Sequence, residues 1–587
     1  MPKPLLEADD PNPAQRAEHL ADKREDYQLD FSYHGFGLPK KVPHRDGFGV
    51  RYLARATDLK LVIAANHAAS GLLEGHERVH DKIRALFNKS SPDAFADTLD
   101  DARATITRAV TPTLKRRWPL RIDEYDEIFQ LLPAPRAAQL WDQDWYFAYD
   151  RLGGVCPHEL TRIDAIPEAF PVTQEHYART FPTDTLEAAL AQGRIFITTY
   201  PILEGIDVGP PPGSTHEYFL TAPMVLYAVP PPDVTDRRLM PVAIQLAQRP
   251  GPQAPIFTPA HGIAWRMAKT AAQIADRNKH GIAWHGGRLH FMSGGVVVVT
   301  ERHLPDCHPV HILLRPNFEF NLAIVDATRQ SLLSPDGLTP KLQSPSFEGV
   351  VELIHRGIDT FVWDDHMPRR DFARRGVDDP QILPHYPYRD DSRPVWEAIH
   401  GFVEKYLRLY YPSDAAVVAD QELRAWREAL EAKDGAGVRG MVAIDGFDAL
   451  AQLVAEIIFY LSALHCSVNY GVYEATAFEP HAPGAQYGPA PTELREYPEQ
   501  DHLAMLPPLE LTMDSLSDVY FVSNMRENRL GQYDGGYFED HRVISIVHEF
   551  QRRLEQIEEQ TRQRNQSQRP VPYTILLPSN ITASICT

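Results

Sequence analysis

Between Leu453 and Tyr473 the chain reads LVAEIIFYLSALHCSVNYGVY, apolar nearly all the way round a helix. Such a helix belongs in a membrane or inside a large protein, because every face needs an apolar neighbour. Its three polar residues, Glu456, His465 and Asn469, favour the protein interior. No run of 18 or more uncharged apolar residues occurs, so no transmembrane helix is expected. The first twenty residues, MPKPLLEADDPNPAQRAEHL, hold no apolar leader segment. No signal peptide is expected, and the expected location is the cytoplasm. A helix buried on all sides needs much protein around it. The chain has 587 residues, 43% of them apolar, which is enough for a large core.

The rest of the composition narrows the function. With 59 basic and 79 acidic side chains the net charge is −20. That excludes a nucleic-acid surface, which needs clustered Lys and Arg. It also argues against binding anionic lipid through a general basic face. Four scattered cysteines, Cys156, Cys307, Cys466 and Cys586, make no disulfide scaffold. Fifty prolines imply long ordered loops. Residues 1 to 30 are polar and read as a frayed or surface-packed start. Helical spacing runs from Phe48 to Val110, and short strands are read in GRIFITTY, HEYFLTAPMVLYAVPPP and RLMPVAIQLAQRP. Further helices are expected after Pro259 and at 394–411, 417–432, 446–473 and 540–565. No repeat and no clear linker appears. The fold expected is mainly α, one domain over 1–587 around a long buried core helix. Small β elements fall in the first 250 residues.

Phosphate-binding, nucleophile-elbow and HExxH motifs are all absent from the sequence. Histidine is what remains, 25 in all. In KHGIAWHGGRLHF, His280, His285 and His290 lie five apart. On a regular helix that spacing spreads them around the axis. A π-type turn inserts one residue and brings i and i+5 together. Gly286 and Gly287 fall inside this stretch, where each costs a helix roughly 1 kcal/mol relative to alanine. The spacing fits histidines of a distorted amphipathic helix as well as a set of ligands. His465 and Asn469, four apart, share one face of the most apolar helix. They call for a common partner, either a hydrogen-bond network or a metal. His303, Cys307, His308 and His311 look like a zinc site, but Pro305 and Pro309 interrupt them. No second zinc-spaced pair follows, and a structural role is the preferred reading. The last residues, VPYTILLPSNITASICT, carry no charged side chain. They read as a tucked-in terminus that takes the α-carboxylate of Thr587 inside, where it needs a cation.

Taken in order, these segments resemble the lipoxygenase family. WRMAKTAAQIADRNKHGIAWHGGRLH is similar to that family's W-x-x-A-K helix running into H-x4-H-x4-H. RHLPDCHPVHILLRP, LAIVDATRQSLL and FYLSALHCSVNYGVY match later segments, and FAYDRLGGVCPHELTRI, EAALAQGRIFITTYPILEGI, LEQIEEQTRQRN and PYTILLP match others in the same order. The resemblance covers residues 115 to 587. It implies one non-haem iron per chain, with manganese the second choice. The ligands implied are His285, His290, His465, Asn469 and the terminal carboxylate of Thr587, with His280 near the metal but not bound to it. Imidazoles with hard oxygen donors suit iron or manganese on chemical grounds too. The implied reaction is dioxygenation of a polyunsaturated fatty acid containing a cis,cis-1,4-pentadiene. Its base is a metal-bound hydroxide rather than a side chain, O2 is the second substrate, and no nicotinamide or flavin is needed.

Several positions depart from the family pattern. Gly281 and Val472 stand where glutamines are common. Thr328 stands where alanine accompanies S and glycine R stereochemistry, and its bulk points to an S-type outcome. Leu332 matches a leucine that lines the substrate and oxygen pocket, although core packing explains it equally. No arginine for a substrate carboxylate is found in EPHAPGAQ. The family's N-terminal PLAT-type β-barrel has no counterpart, and 1–114 is expected to form a helical extension packed on the catalytic domain. Leu61 to Leu73 is the one segment suited to weak membrane contact, with core packing preferred. A monomer is expected. The competing readings are a manganese or hydroperoxide-isomerising variant, and a non-catalytic lipid-binding form of the fold.

Overall fold

The computed structural model describes residues 3–71, 118–210, 214 and 216–587. Five short antiparallel strands form one sheet: β1 (Thr161–Arg162), β2 (Ile195–Thr199), β3 (Met224–Ala228), β4 (Met240–Gln245) and β5 (Ile256–Phe257). Ile197 pairs with Leu226 and Val225 with Ile244. Successive strand residues face opposite sides, and here each side meets a different core. Phe196, Val225, Tyr227 and Ile244 join the main apolar cluster. Ile195, Ile197, Leu226 and Ala228 join a second one with Phe170, Tyr177 and Leu186. That double burial explains why MVLYA is apolar throughout.

Apart from a two-stranded ladder that pairs Leu29–Asp30 with Leu38–Pro39, the rest of the regular structure is helical. A continuous helix runs through α1 (Ile263–Asn278), a thirteen-residue π-helix (Lys279–Phe291) and α2 (Met292–His303). Against it lies a second helix made of α3 (Phe447–Phe459), a π turn (Tyr460–Leu464) and α4 (His465–Asn469). The segment Phe447–Thr476 is long and apolar enough to cross a membrane, but 83% of its most apolar window is buried in protein. It is a core helix, as its polar residues imply. The helix Phe347–Asp359 packs on the π-helix through Gly357. A Cβ there would come within 2.9 Å of the Cβ of Ala283, so only glycine allows that approach.

Of the two expectations for the N-terminus, the surface-packed one holds: Pro13–Asp26 is an ordered helix opened by proline, with only Arg16, Leu20 and Lys23 buried. Its Arg16 is buried and forms a two-pronged pair with Glu422, at 2.7 and 2.6 Å. Lys23, also buried, reaches Glu301 at 2.7 Å and Asp306 at 2.7 Å. Val50–Gly71 is helical as expected, and the remainder of the 48–110 stretch, with Leu72 and Leu73, lies outside the described residues. The helices expected further on are found at Pro387–Leu407, Gln421–Glu431 and His541–Ser567.

Glu456, deep in α3, gives the core a pH dependence. It accepts hydrogen bonds from Trp363 Nε1 at 2.9 Å and Gln452 Nε2 at 2.7 Å. Burial pushes its carboxyl up from 4.5 to about 7. Between those values the folded chain keeps a proton that the unfolded chain has released. The contribution of this group is therefore whole below pH 4.5 and lost as pH rises through 7. Glu456→Gln removes the ionisation and keeps the shape. Its melting temperature should match the parent at pH 4.5 and exceed it by about 1–2 °C at pH 8. Equal melting temperatures at both pH values would refute a neutral buried Glu456.

Candidate metal centre

The π-helix does what five-residue spacing requires. It turns His285 and His290 to one side, with their Nε2 atoms 3.0 Å apart. The π turn at Tyr460–Leu464 then presents His465 opposite them. One ring nitrogen from each of His285, His290 and His465 lies within 4.8 Å of the other two. Two glycines ease the distortion: Gly287 lies against Ile354, and Gly286 against Leu333 and the carbonyl of Gly281. The two helices are tied together directly. The Tyr460 hydroxyl donates to the Arg288 carbonyl, and His280 Nε2 donates to the Val468 carbonyl at 2.7 Å. His280 stacks on His285 with ring centroids 5.8 Å apart, yet stays outside the cluster of three.

Asn469 and Thr587 join the same place. Asn469 Nδ2 donates to the Thr587 hydroxyl at 2.8 Å and to the Val522 carbonyl at 2.9 Å. Every residue from 581 to 587 is buried, as the uncharged tail implies. Asn528 brackets Ser584, donating from Nδ2 to its hydroxyl at 2.8 Å and accepting from its backbone N–H at 3.3 Å.

The electrostatics suit a cation. Burial holds the three histidines well below the usual imidazole range. For His285 the neighbouring His290 and His280 reinforce this, while the Asn469 side chain opposes it. For His290 the addition comes from His465. For His465 it comes from His285, and the neighbouring Thr587 backbone opposes it. All three are thus neutral with lone pairs to give, the form a metal requires. Both ring nitrogens of His465, His290 Nδ1 and the Asn469 amide oxygen have no hydrogen-bond partner among the described residues. Buried polar atoms are rarely left so. Convergence at one point with orphaned nitrogen and oxygen donors fits a first-row divalent ion with nitrogen and hard oxygen ligands.

Two further acidic groups with histidine are ion-pair networks. His311 meets Glu301 at 3.0 Å, but Lys23, Arg45 and Arg315 also bind that carboxylate. His308 caps its helix through Val310 N–H and lies 3.3 Å from Asp420. His303 is bonded to the Val299 carbonyl, and Cys307 lies against Arg16. These four residues are structural, as the prolines between them suggest.

Thr328 and Leu332 open and close a short π segment, Thr328–Leu332, that follows the helix Asn321–Ala327. Thr328 is buried, and Leu332 is half-buried against an apolar cluster that includes Phe291, Val325 and Leu333. Leu333, the residue after this segment, abuts the π-helix at Gly286, next to His285. One relevant residue escaped the sequence. The space a side chain at 281 would occupy is filled by Gln343, whose Nε2 lies 2.5 Å from where a Cβ would be. Its Oε1 is buried and unpartnered among the described residues. Gln343 follows a short helix, Leu338–Leu342, and nothing in its local pattern marks it.

The fold and the site define a helical protein with a cluster of three histidines, able to hold a metal ion, between two π-distorted helices. The sequence model of the lipoxygenase family matches residues 78–578. The chain belongs to the lipoxygenase family. It is 32% identical over 477 residues to mouse hydroperoxide isomerase ALOXE3, covering 79% of this chain and 65% of that one. It is 32% identical over 484 residues to the linoleate 9/13-lipoxygenase of Pseudomonas aeruginosa, covering 79% and 69%. The chain thus spans about two thirds of the length of these relatives. Among solved structures, coral 8R-lipoxygenase superposes with a TM-score of 0.85 at 26% identity, covering all of this chain and 83% of that one. A LOX variant crystallised anaerobically with arachidonate gives 0.86 at 26% identity, covering 100% and 84%.

Proposed function

We propose that this chain is an iron-dependent dioxygenase of polyunsaturated fatty acids bearing a cis,cis-1,4-pentadiene. One observation carries the reading: three neutral imidazoles, His290 and His465 buried and His285 half-buried, converge with Asn469 and Thr587 in an apolar core. His285, His290, His465, the Asn469 amide oxygen and the Thr587 carboxylate would hold the ion. The chemistry such an ion supplies is one-electron redox at the substrate. One fatty acid and one O2 give one hydroperoxide, so no external reductant enters the balance. The protein's share is to fix the ligands, keep water out and align the acyl chain. His280 and Tyr460 fix the two helices, and Gln343 supplies an amide where the family's residue-281 glutamine is missing.

The test is incubation with linoleic and arachidonic acids in air, following conjugated-diene absorbance, oxygen uptake and metal content on one sample. Diene growth with one iron per chain supports the reading, and a metal-loaded chain that makes no diene from either acid overturns it. A hydroperoxide isomerase is the second reading, favoured by the names of several relatives. It would consume hydroperoxide without taking up O2.

Thr328 sets stereochemistry on this reading, with Leu332 lining the same pocket. The parent should give S products. Thr328→Gly should shift the product toward R by at least about tenfold in ratio, and Thr328→Ala less, as chiral-phase separation would show. An unchanged product in both variants removes Thr328 from the pocket.

A further inference from the structure

Lys279 and Arg288, on the same π-helix as His285 and His290, line a half-open cavity of about 220 Å³ that none of the five proposed ligands lines. Four cations, Lys279, Arg288, Arg374 and Arg375, line it against two carboxylates, Glu159 and Asp365. Lys279 is paired with Glu159, and Arg375 with Asp371. Arg374, at the rim with 41% of its side chain exposed, reaches the same Asp371 at 3.4 Å. Arg288 forms no ion pair among the described residues. Its Nε donates to the Gly357 carbonyl at 2.8 Å and its Nη2 to Thr360 Oγ1 at 2.9 Å. Its guanidinium lies 4.5 Å over the Trp284 ring, and the residue is only 6% exposed. The Glu159 carboxylate that acts on it is taken up by Lys279, and burying a guanidinium without a counter-charge of its own is costly.

Two imidazoles complete the wall. His158, 3% exposed, and His366 each have a buried Nδ1 with no partner among the described residues. In the Nδ1–H tautomer either ring is a donor. Arg288 also keeps N–H groups beyond the two used, in the planar fork that fits an oxyanion.

We propose that this cavity binds a phosphate group, held by Arg288 and Arg374 with the His158 and His366 rings. Its volume is below the ~300–1,000 Å³ of sites for larger organic ligands, and its lining is nearly all polar, so an acyl chain has no place in it. The ligand would sit against the helix that carries His285 and His290. Through the Arg288 carbonyl that helix is bound to Tyr460, just ahead of His465. The proposal stands on the cavity alone and does not depend on the fatty-acid reading.

The experiment is calorimetric titration of the metal-loaded full chain with inorganic phosphate, at constant ionic strength set by sodium chloride. One saturable site per chain is expected. Arg288→Gln should weaken it at least about tenfold, as loss of a charged hydrogen-bond donor implies. Arg374→Gln should weaken it several-fold, and because Arg374 is partly exposed its loss leaves the fold intact. Lys60→Gln, on the exposed face of a distant helix, is the control and should change nothing. No saturable heat, or equal affinity in the parent and both arginine variants, overturns the proposal. A parallel titration with adenosine monophosphate separates the sources. Tighter binding than free phosphate assigns the group to a larger ligand, and weaker or equal binding assigns the free ion. Either supports the site when both arginine variants weaken it.

Discussion

His465→Leu should empty the centre of metal and abolish turnover while raising the stability of the metal-free chain. The two effects have one origin. His465 is fully buried, and neither ring nitrogen has a hydrogen-bond partner among the described residues. Each unsatisfied buried polar group costs about 1–3 kcal/mol, a cost that a bound metal repays and leucine avoids. Leucine fills nearly the same volume in a helix that is apolar on every side. With metal removed by chelator, the variant should melt about 1–2 °C above the parent, a small shift because a chain of 587 residues has a large unfolding entropy. Removing one of three imidazole ligands should cost ~10³-fold or more in activity, the scale of several kcal/mol of lost metal stabilisation. Metal analysis, calorimetry and a diene assay on the same preparations check all three. A variant that keeps one metal per chain would remove His465 from the ligand set.

The mainly helical scaffold and the awkward histidine-bearing helices were legible in the sequence, while the set of proposed ligands followed from the family resemblance. Histidines five apart with two glycines between them are an awkward α-helix and a natural π-helix, and Lys279–Phe291 is one. His465 and Asn469 could be placed because a polar pair in an all-apolar helix has few physical explanations. The uncharged tail could be placed for the same reason. What failed was composition used locally. Arg16 and Lys23 look like surface charges, but their partners are Glu422 and Glu301, hundreds of residues away. Gln343 was invisible on similar grounds. A glycine at 281 reads as a missing side chain, and only the packed fold shows another element delivering an amide to the same space. The counter-charge missing at Arg288 was equally hidden, since it depends on Gly357 and Thr360 from a neighbouring helix.

Extending the chain by Gly-Ser after Thr587 should disable the centre without touching any side chain. The reading that Thr587 is a ligand rests on its main chain. Its backbone neighbours His465, and its hydroxyl only accepts from Asn469. The preceding residues leave no slack. Ile585 and Cys586 are fully buried, Asn528 holds Ser584, and the Leu530 N–H donates to the Ile581 carbonyl at 3.0 Å. Two added residues turn the carboxylate into a neutral amide and force more chain into a packed core. Loss of a charged ligand predicts a fall in metal affinity of at least ~100-fold, beyond the 10–100-fold typical of changes to groups that merely support a ligand. Thr587→Val separates carboxylate from side chain. It keeps the main chain and the shape and loses only the hydroxyl, while Asn469 still donates to Val522. That variant should keep one metal per chain and lose at most a few-fold in turnover. If the extended chain binds metal like the parent, the charge facing the ion must come from elsewhere. If Thr587→Val loses metal as completely as the extension does, the hydroxyl rather than the carboxylate is the group that matters.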